Sequence, residues 1–182
     1  MAGQFPMHSA ANNVLSNLGR LVRRRVFVSY HHDGDQHYYE EFARIFAGSL
    51  EIFHDASLER AYDSGDHEYI RWSIRQNNIT GSSCTIVLCG ARTHERKYVD
   101  WEIKATLDKF HGLIGVWLPT LPLVGSGTQK PDRLQDNIDS GFAKWVQWSG
   151  LTAELLRTTI EAAVAEKVVL IRNDRAMRMQ NR

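Results

Sequence analysis

The strongest constraint on the fold is a set of short, nearly continuous apolar runs, Val26-Phe-Val-Ser-Tyr30, Cys84-Thr-Ile-Val-Leu88 and Leu113-Ile-Gly-Val-Trp-Leu118, separated by stretches of helical periodicity. A strand with one wet face alternates apolar and polar residues, whereas a run apolar throughout must be covered on both faces. Between the first two runs, Tyr38, Tyr39, Phe42, Ile45 and Phe46 recur at helical spacing, which predicts a helix over 36–47 with Asp35 as its N-cap and Gly48 as its stop. Leu50-Glu-Ile-Phe53 reads as a second strand. Asp66 caps a helix through Gln76, ended by Asn77 and Asn78.

The alternation continues after the third strand. Val99, Ile103, Thr106, Leu107 and Phe110 form one mostly apolar stripe, with Glu102 on its flank and Trp101 on the opposite side. Pro119 halts the fourth strand, and the turn-rich segment to Gly141 leaves room for a short helix. Lys144-Trp-Val-Gln-Trp148 alternates as a short edge strand does, and Thr152 starts a last helix with Leu155, Leu156, Thr159, Ile160, Ala163 and Val164 on its apolar side. Repeated strand and helix with right-handed crossovers predict a three-layer α/β/α sandwich, with a five-stranded, mainly parallel sheet in the order 2-1-3-4-5.

At 182 residues the chain holds one domain's worth of material. Residues 1–22 read as an N-terminal extension with a weak amphipathic stretch, residues 23–171 as the domain, and residues 172–182 as a polar tail expected to fray. The net charge of +1, with both signs spread along the chain, gives no field to draw nucleic acid or an anionic membrane. The basic run Arg23-Arg24-Arg25 lacks interleaved aromatics and reads as a solvated strand entry. Cys84 and Cys89 are the only cysteines and point to opposite faces of one strand, so they cannot pair locally. With no membrane-length apolar segment and no signal-peptide pattern, the expected location is the cytoplasm.

In an open α/β sheet the ligand crevice lies beyond the carboxyl ends of the strands, and Glu102 sits on the helix that follows the third strand. The same carboxylate also suits a solvated helix position, but its neighbour Trp101, pointing away from the core stripe, calls for a covering loop, partner or ligand. Other chemistries find less. No Gly-rich dinucleotide or phosphate loop follows the first strand, where Ser29-Tyr-His-His-Asp-Gly-Asp35 stands instead. His31, His32 and His37, with Asp33 or Asp35, invite a metal, yet nothing in their spacing fixes them on one face, so no metal is expected. The strained turn of a serine nucleophile is absent, and the cysteines lie in apolar surroundings that keep thiols inert. The polar stretch His54 to Gly65 is long for a connection, which marks it as functional or mobile.

Arg25-Val-Phe-Val-Ser-Tyr30, Phe53-His-Asp-Ala-Ser-Leu58, Thr85-Ile-Val-Leu-Cys-Gly90 and Arg96-Lys-Tyr-Val-Asp-Trp-Glu-Ile103 together resemble the TIR-like domain of Thoeris antiphage defence, the ThsB type. The late segment Pro131-Asp-Arg-Leu-Gln-Asp-Asn137, with Gly141 and Trp148, is similar to a stretch of the same group, so the resemblance runs from Arg25 to Trp148. It implies a flavodoxin-like TIR fold and an enzyme that consumes NAD⁺ as substrate, needs no cofactor, releases nicotinamide and makes a cyclic ADP-ribose isomer. That isomer would activate a downstream effector, with a phage-derived trigger and homo-oligomerisation on activation as further implied partners.

By the same resemblance Glu102 falls where the family places its catalytic glutamate. Ser29, Tyr30 and His31 would form the pocket floor, Asp55 and Ser57 the loop side, and Trp101 a stacking or interface position. Each has a plainer role open to it: Tyr30 can finish a strand, Ser57 can cap a turn, and Asp55 can bond loop backbone. Ala56-Ser-Leu-Glu-Arg-Ala61 and Val99-Asp-Trp101 depart from the Pro-containing loop and the Ser or Cys before glutamate found in many TIR domains. The alternative function is a non-catalytic self-association module built on Trp101 and the His54–Gly65 loop.

Overall fold

The computed structural model describes residues 23–53, 79–125 and 127–181. The expected helix over 66–76 and the loop residues Asp55 and Ser57 lie outside them, as do residues 1–22. Five parallel strands form the main sheet: β1 (Arg24–Ser29), β2 (Leu50–Phe53), β3 (Cys84–Cys89), β4 (Gly112–Trp117) and β7 (Lys144–Gln147), in the order β2-β1-β3-β4-β7. This is the expected 2-1-3-4-5 order. A small antiparallel pair, β5 (Leu123–Val124) with β6 (Gly127–Thr128), interrupts the turn-rich segment.

The helices divide between the faces. α1 (His32–Phe46) and α4 (Ala153–Val164) cover one, where Phe42, Phe46, Leu156 and Ile160 pack on Val26, Val28, Ile86 and Ile114. α2 (Lys97–Asp108) and α3 (Asp132–Asp139) cover the other, where Val99, Ile103, Leu107 and Leu134 pack on Val87, Cys89 and Leu113. Every residue of β3 is buried, which is why its sequence is apolar without alternation. Cys84 and Cys89 divide between these two cores, both unpaired. Among the described residues no helix is long and apolar enough to cross a membrane.

Three local expectations change. α1 begins at His32, so Asp35 lies inside the first turn, and the backbone of His31 takes the N-cap position by accepting from Asp35 N at 2.8 Å. Asp35 therefore directs its carboxylate inward. α2 stops at Asp108, and Phe110, with φ 58°, turns out of the helix and is 63% exposed, leaving the apolar stripe. The C-terminal tail is tied down over α2 and α3 instead of fraying. Asn137 Nδ2 donates to Arg172 O at 2.7 Å while Arg172 N donates to Asn137 Oδ1 at 3.0 Å, so one amide side chain pairs like a neighbouring strand. Further along, Lys97 N donates to Asn181 Oδ1 at 2.9 Å.

Candidate active site

β1 ends at Ser29, whose side chain faces the α2 layer because residues alternate along a strand. α2 is locked against the sheet by a polar pair within the core: Thr85 Oγ1 of β3 and Thr106 Oγ1 of α2 lie 2.6 Å apart, and Thr106 Oγ1 also donates to Glu102 O at 2.8 Å. One turn before Thr106 on the same helix face, Glu102 is thereby set opposite the end of β1. Ser29 Oγ donates to Glu102 Oε2 at 2.6 Å, with the two residues 1% and 6% exposed. That length fits a charge-assisted bond to a carboxylate. The predicted flank position of Glu102 is thus a nearly enclosed one at the carboxyl edge of the sheet.

The other residues of the expected pocket floor separate. Tyr30 turns to the opposite face, stacks on Tyr39 with centroids 4.7 Å apart, and donates to Gln36 Oε1 at 2.7 Å. Burial pushes its hydroxyl pKa up, with Tyr39, Glu40 and Glu102 adding to the effect. His31 is 5% exposed, and its imidazole lies so close over Gly34 that a Cβ there would meet Nδ1 at 2.8 Å. Burial first, then the positive charge of Arg96, lowers its pKa to about 4, so the ring is neutral at neutral pH. Trp101 is buried under the C-terminal segment and donates from Nε1 to Arg178 O at 2.7 Å.

The structure adds residues that the sequence reading did not select. Asp35 is 2% exposed and accepts from Thr93 Oγ1 at 3.1 Å and Thr120 Oγ1 at 3.3 Å, joining the loops after β3 and β4 to the start of α1. Burial raises its pKa, and those two hydroxyls pull the other way. It rests directly on Gly90, where a Cβ would come 2.1 Å from Oδ1. A glycine at the end of a buried strand was the available signal for such close approach. Tyr98, buried on α2, stands four residues before Glu102, a spacing that places both on one helix face. Burial pushes its phenol pKa up, and Glu102 is among the neighbouring charges that contribute.

Further along the same edge an apolar groove of about 480 Å³ opens between Trp117, Pro119, Leu121 and Gln147. Among the described residues no group of three or more His, Cys, Asp or Glu could hold a metal ion. The chemistry on offer is a carboxylate sheltered from water, oriented by a hydroxyl, and able to hold ligand hydroxyls or offset developing positive charge.

No curated protein matches the chain. The family model for the TIR-like domain of Thoeris protein ThsB matches residues 27–123, which spans β1 through the start of β5 and includes both partners of the Ser29–Glu102 bond. With that match covering more than half of the chain, on a five-stranded parallel sheet of flavodoxin-like order, the chain belongs to the ThsB-type TIR-like domain family of Thoeris antiphage defence.

Proposed function

We propose that the domain cleaves NAD⁺ at the ribose–nicotinamide bond, with Glu102 as the catalytic carboxylate, and makes a cyclic ADP-ribose isomer that activates an effector. The observation that carries this reading is the buried Ser29–Glu102 pair at the carboxyl edge of a TIR-like sheet. In the reaction nicotinamide leaves with the electron pair of the bond to C1′, and the ribose becomes oxocarbenium-like. Glu102 accepts hydrogen bonds from the ribose hydroxyls and offsets the positive charge, as carboxylates do in glycoside hydrolysis. Ser29 fixes the orientation of the carboxylate.

An internal hydroxyl or ring nitrogen of the same molecule then attacks C1′ and closes the ring. Where the attacking atom carries a proton, that proton is released; attack by water would give linear ADP-ribose. Holding the attacking atom near C1′ is a matter of positioning. The reaction takes place in the cytoplasm, with a phage-derived trigger and self-association switching it on. An interaction module built on Trp101 draws no support from the geometry, because the C-terminal segment covers that ring.

The test is incubation of the purified protein with NAD⁺, with and without phage-derived trigger, followed by chromatography and mass spectrometry of the products. Glu102→Gln is expected to lower nicotinamide release by about 10²–10³-fold or more. Full activity in that variant would remove Glu102 from the chemistry.

A further inference from the structure

The Ser29–Glu102 bond spans two elements, β1 and α2, so its geometry depends on what holds those elements together. One turn beyond Glu102 the Thr85–Thr106 pair fixes α2 to β3. Before Glu102 the corresponding tie runs through Asp35. Its N donates to His31 O at 2.8 Å, two residues after Ser29. On the other side Thr93 Oγ1 donates to Asp35 Oδ2 at 3.1 Å, Arg96 N donates to Thr93 O at 3.3 Å, and Asp100 N in the first turn of α2 donates to Arg96 O at 3.3 Å. The end of β1 and the start of α2 are thus joined by successive hydrogen bonds through one aspartate. Thr120 Oγ1 brings in the loop after β4 at 3.3 Å, and the carboxylate rests on Gly90, directly after β3, where a Cβ would collide with it.

An aspartate in this place opposes folding. It is 2% exposed, and among the described residues two hydroxyls are its only side-chain donors, with no lysine or arginine paired to it, whereas Asp100 has Arg133. Enclosing a carboxylate without a cation costs stability, and folded proteins keep such costs mainly at functional sites. Asparagine would fill the same space uncharged, but it offers one acceptor oxygen where two hydroxyls donate.

We propose that Asp35 is a positioning residue for Glu102, holding the segment that enters α2 against the end of β1 so that the carboxylate meets Ser29 and the substrate ribose in one orientation. This rests on the NAD⁺ reading above. Asp35 itself is too enclosed to touch substrate and acts through Thr93 and the start of α2.

The experiment compares the wild type with Asp35→Asn, with Thr93→Val, which keeps the shape without the hydroxyl, and with Thr93→Ser, which keeps the hydroxyl; thermal melting establishes which are folded. In Asp35→Asn and Thr93→Val the kcat for nicotinamide release should fall about tenfold or more with little change in KM, because a displaced catalytic group slows the chemical step. Thr93→Ser should recover most of that loss. In a Glu102→Gln background Asp35→Asn should remove almost nothing further, since a residue that acts through Glu102 has no effect once that carboxylate is gone. Hydrogen exchange at the Arg96 and Asp100 amides, whose acceptors all these variants retain, should speed up in Asp35→Asn and Thr93→Val whether or not NAD⁺ is the substrate. Unchanged kcat and exchange in folded Asp35→Asn, a loss confined to KM, or a full additional loss in the Glu102→Gln background overturns the proposal. If Asp35→Asn does not fold, equal turnover in Thr93→Val and Thr93→Ser overturns it. Faster exchange in the variants of a protein that releases no nicotinamide upholds the tie between Asp35 and α2 and removes the NAD⁺ reading.

Discussion

Helix α2 carries two acids that are equally hidden, Asp100 and Glu102, each 6% exposed, and they sit in opposite kinds of surroundings. Asp100 faces the C-terminal segment. It accepts from Arg133 Nε at 2.9 Å and Nη2 at 3.4 Å, and from Arg178 N at 2.9 Å. Arg133, fully buried, reaches on to Asn173 Oδ1 at 2.9 Å and Arg175 O at 2.8 Å. Glu102 faces the sheet and meets the Ser29 hydroxyl where β1 opens into the crevice. Burial alone therefore does not mark a catalytic acid. What distinguishes the two is the surface against which the side chain is buried: the chain's own cation in one case, the carboxyl edge of the sheet, where open α/β folds take their ligands, in the other.

The comparison breaks most directly at Arg133. Arg133→Ala leaves Asp100 enclosed without its cation, and removing one partner of a buried pair typically costs about 3–5 kcal/mol. Urea denaturation should show that loss, and limited proteolysis should cut within residues 172–181, which the guanidinium holds. Glu102→Gln, an equal-sized change that can still accept from Ser29, should move stability by less than about 1 kcal/mol. If Arg133→Ala is as stable as the wild type, the C-terminal segment is not the clamp that the hydrogen bonds describe.

A second way to sharpen the contrast is pH, because His31 gives the crevice end a titration of its own. Unfolded His31 takes up a proton near pH 6.5, and the folded side chain does so only at about 4, through burial and the positive Arg96 and Arg92, opposed by Asp33 and Glu95. Between those values the unfolded chain binds more protons, so stability falls as pH drops from 6.5 towards 4 and levels off below. The full effect is about 3 kcal/mol. His31→Gln should flatten that part of the profile in denaturation midpoints measured from pH 7 to 4. His111, also lowered by burial and then Lys109, adds a slope of the same sign to both proteins, so the difference between them isolates His31. Identical slopes would show that His31 takes up its proton at the same pH folded and unfolded.

The layered fold was legible because its signals are collective. Each parallel strand needs apolar residues on two faces, and a run such as Cys84 to Cys89 has no other stable use in a chain of this size. Glu102 was legible for a related reason, since a helix following a central strand brings its first turns to the crevice edge. Asp35 was not, because an aspartate before an apolar helix looks like a cap, and only the tertiary approach of Gly90, Thr93 and Thr120 shows its inward direction. The clamp on residues 172–181 was hidden for the opposite reason. Arg172, Asn173, Arg175 and Arg178 form a polar string that reads as frayed, and becomes ordered only where Arg133, Asn137 and Asp136 offer complementary partners. Phe110 misled because helical periodicity persists in sequence past the point where the backbone leaves the helix.

The smallest expected effect tests the side of α2 that the sequence offered as an interface. Trp101→Phe keeps most of the buried ring but removes the Nε1 hydrogen bond to Arg178 O, 2.7 Å long. The net loss of one such bond is about 1 kcal/mol. The change should show as faster hydrogen exchange at the Arg178 amide, which is held by Asp100 Oδ2 beside the lost contact, with nicotinamide release unaltered because the lost bond reaches the C-terminal segment and not the Ser29–Glu102 pair. A variant that instead kept its exchange protection and lost self-association would return Trp101 to the surface of an assembly, since a ring clamped beneath its own C-terminus cannot meet a second copy until that segment lifts.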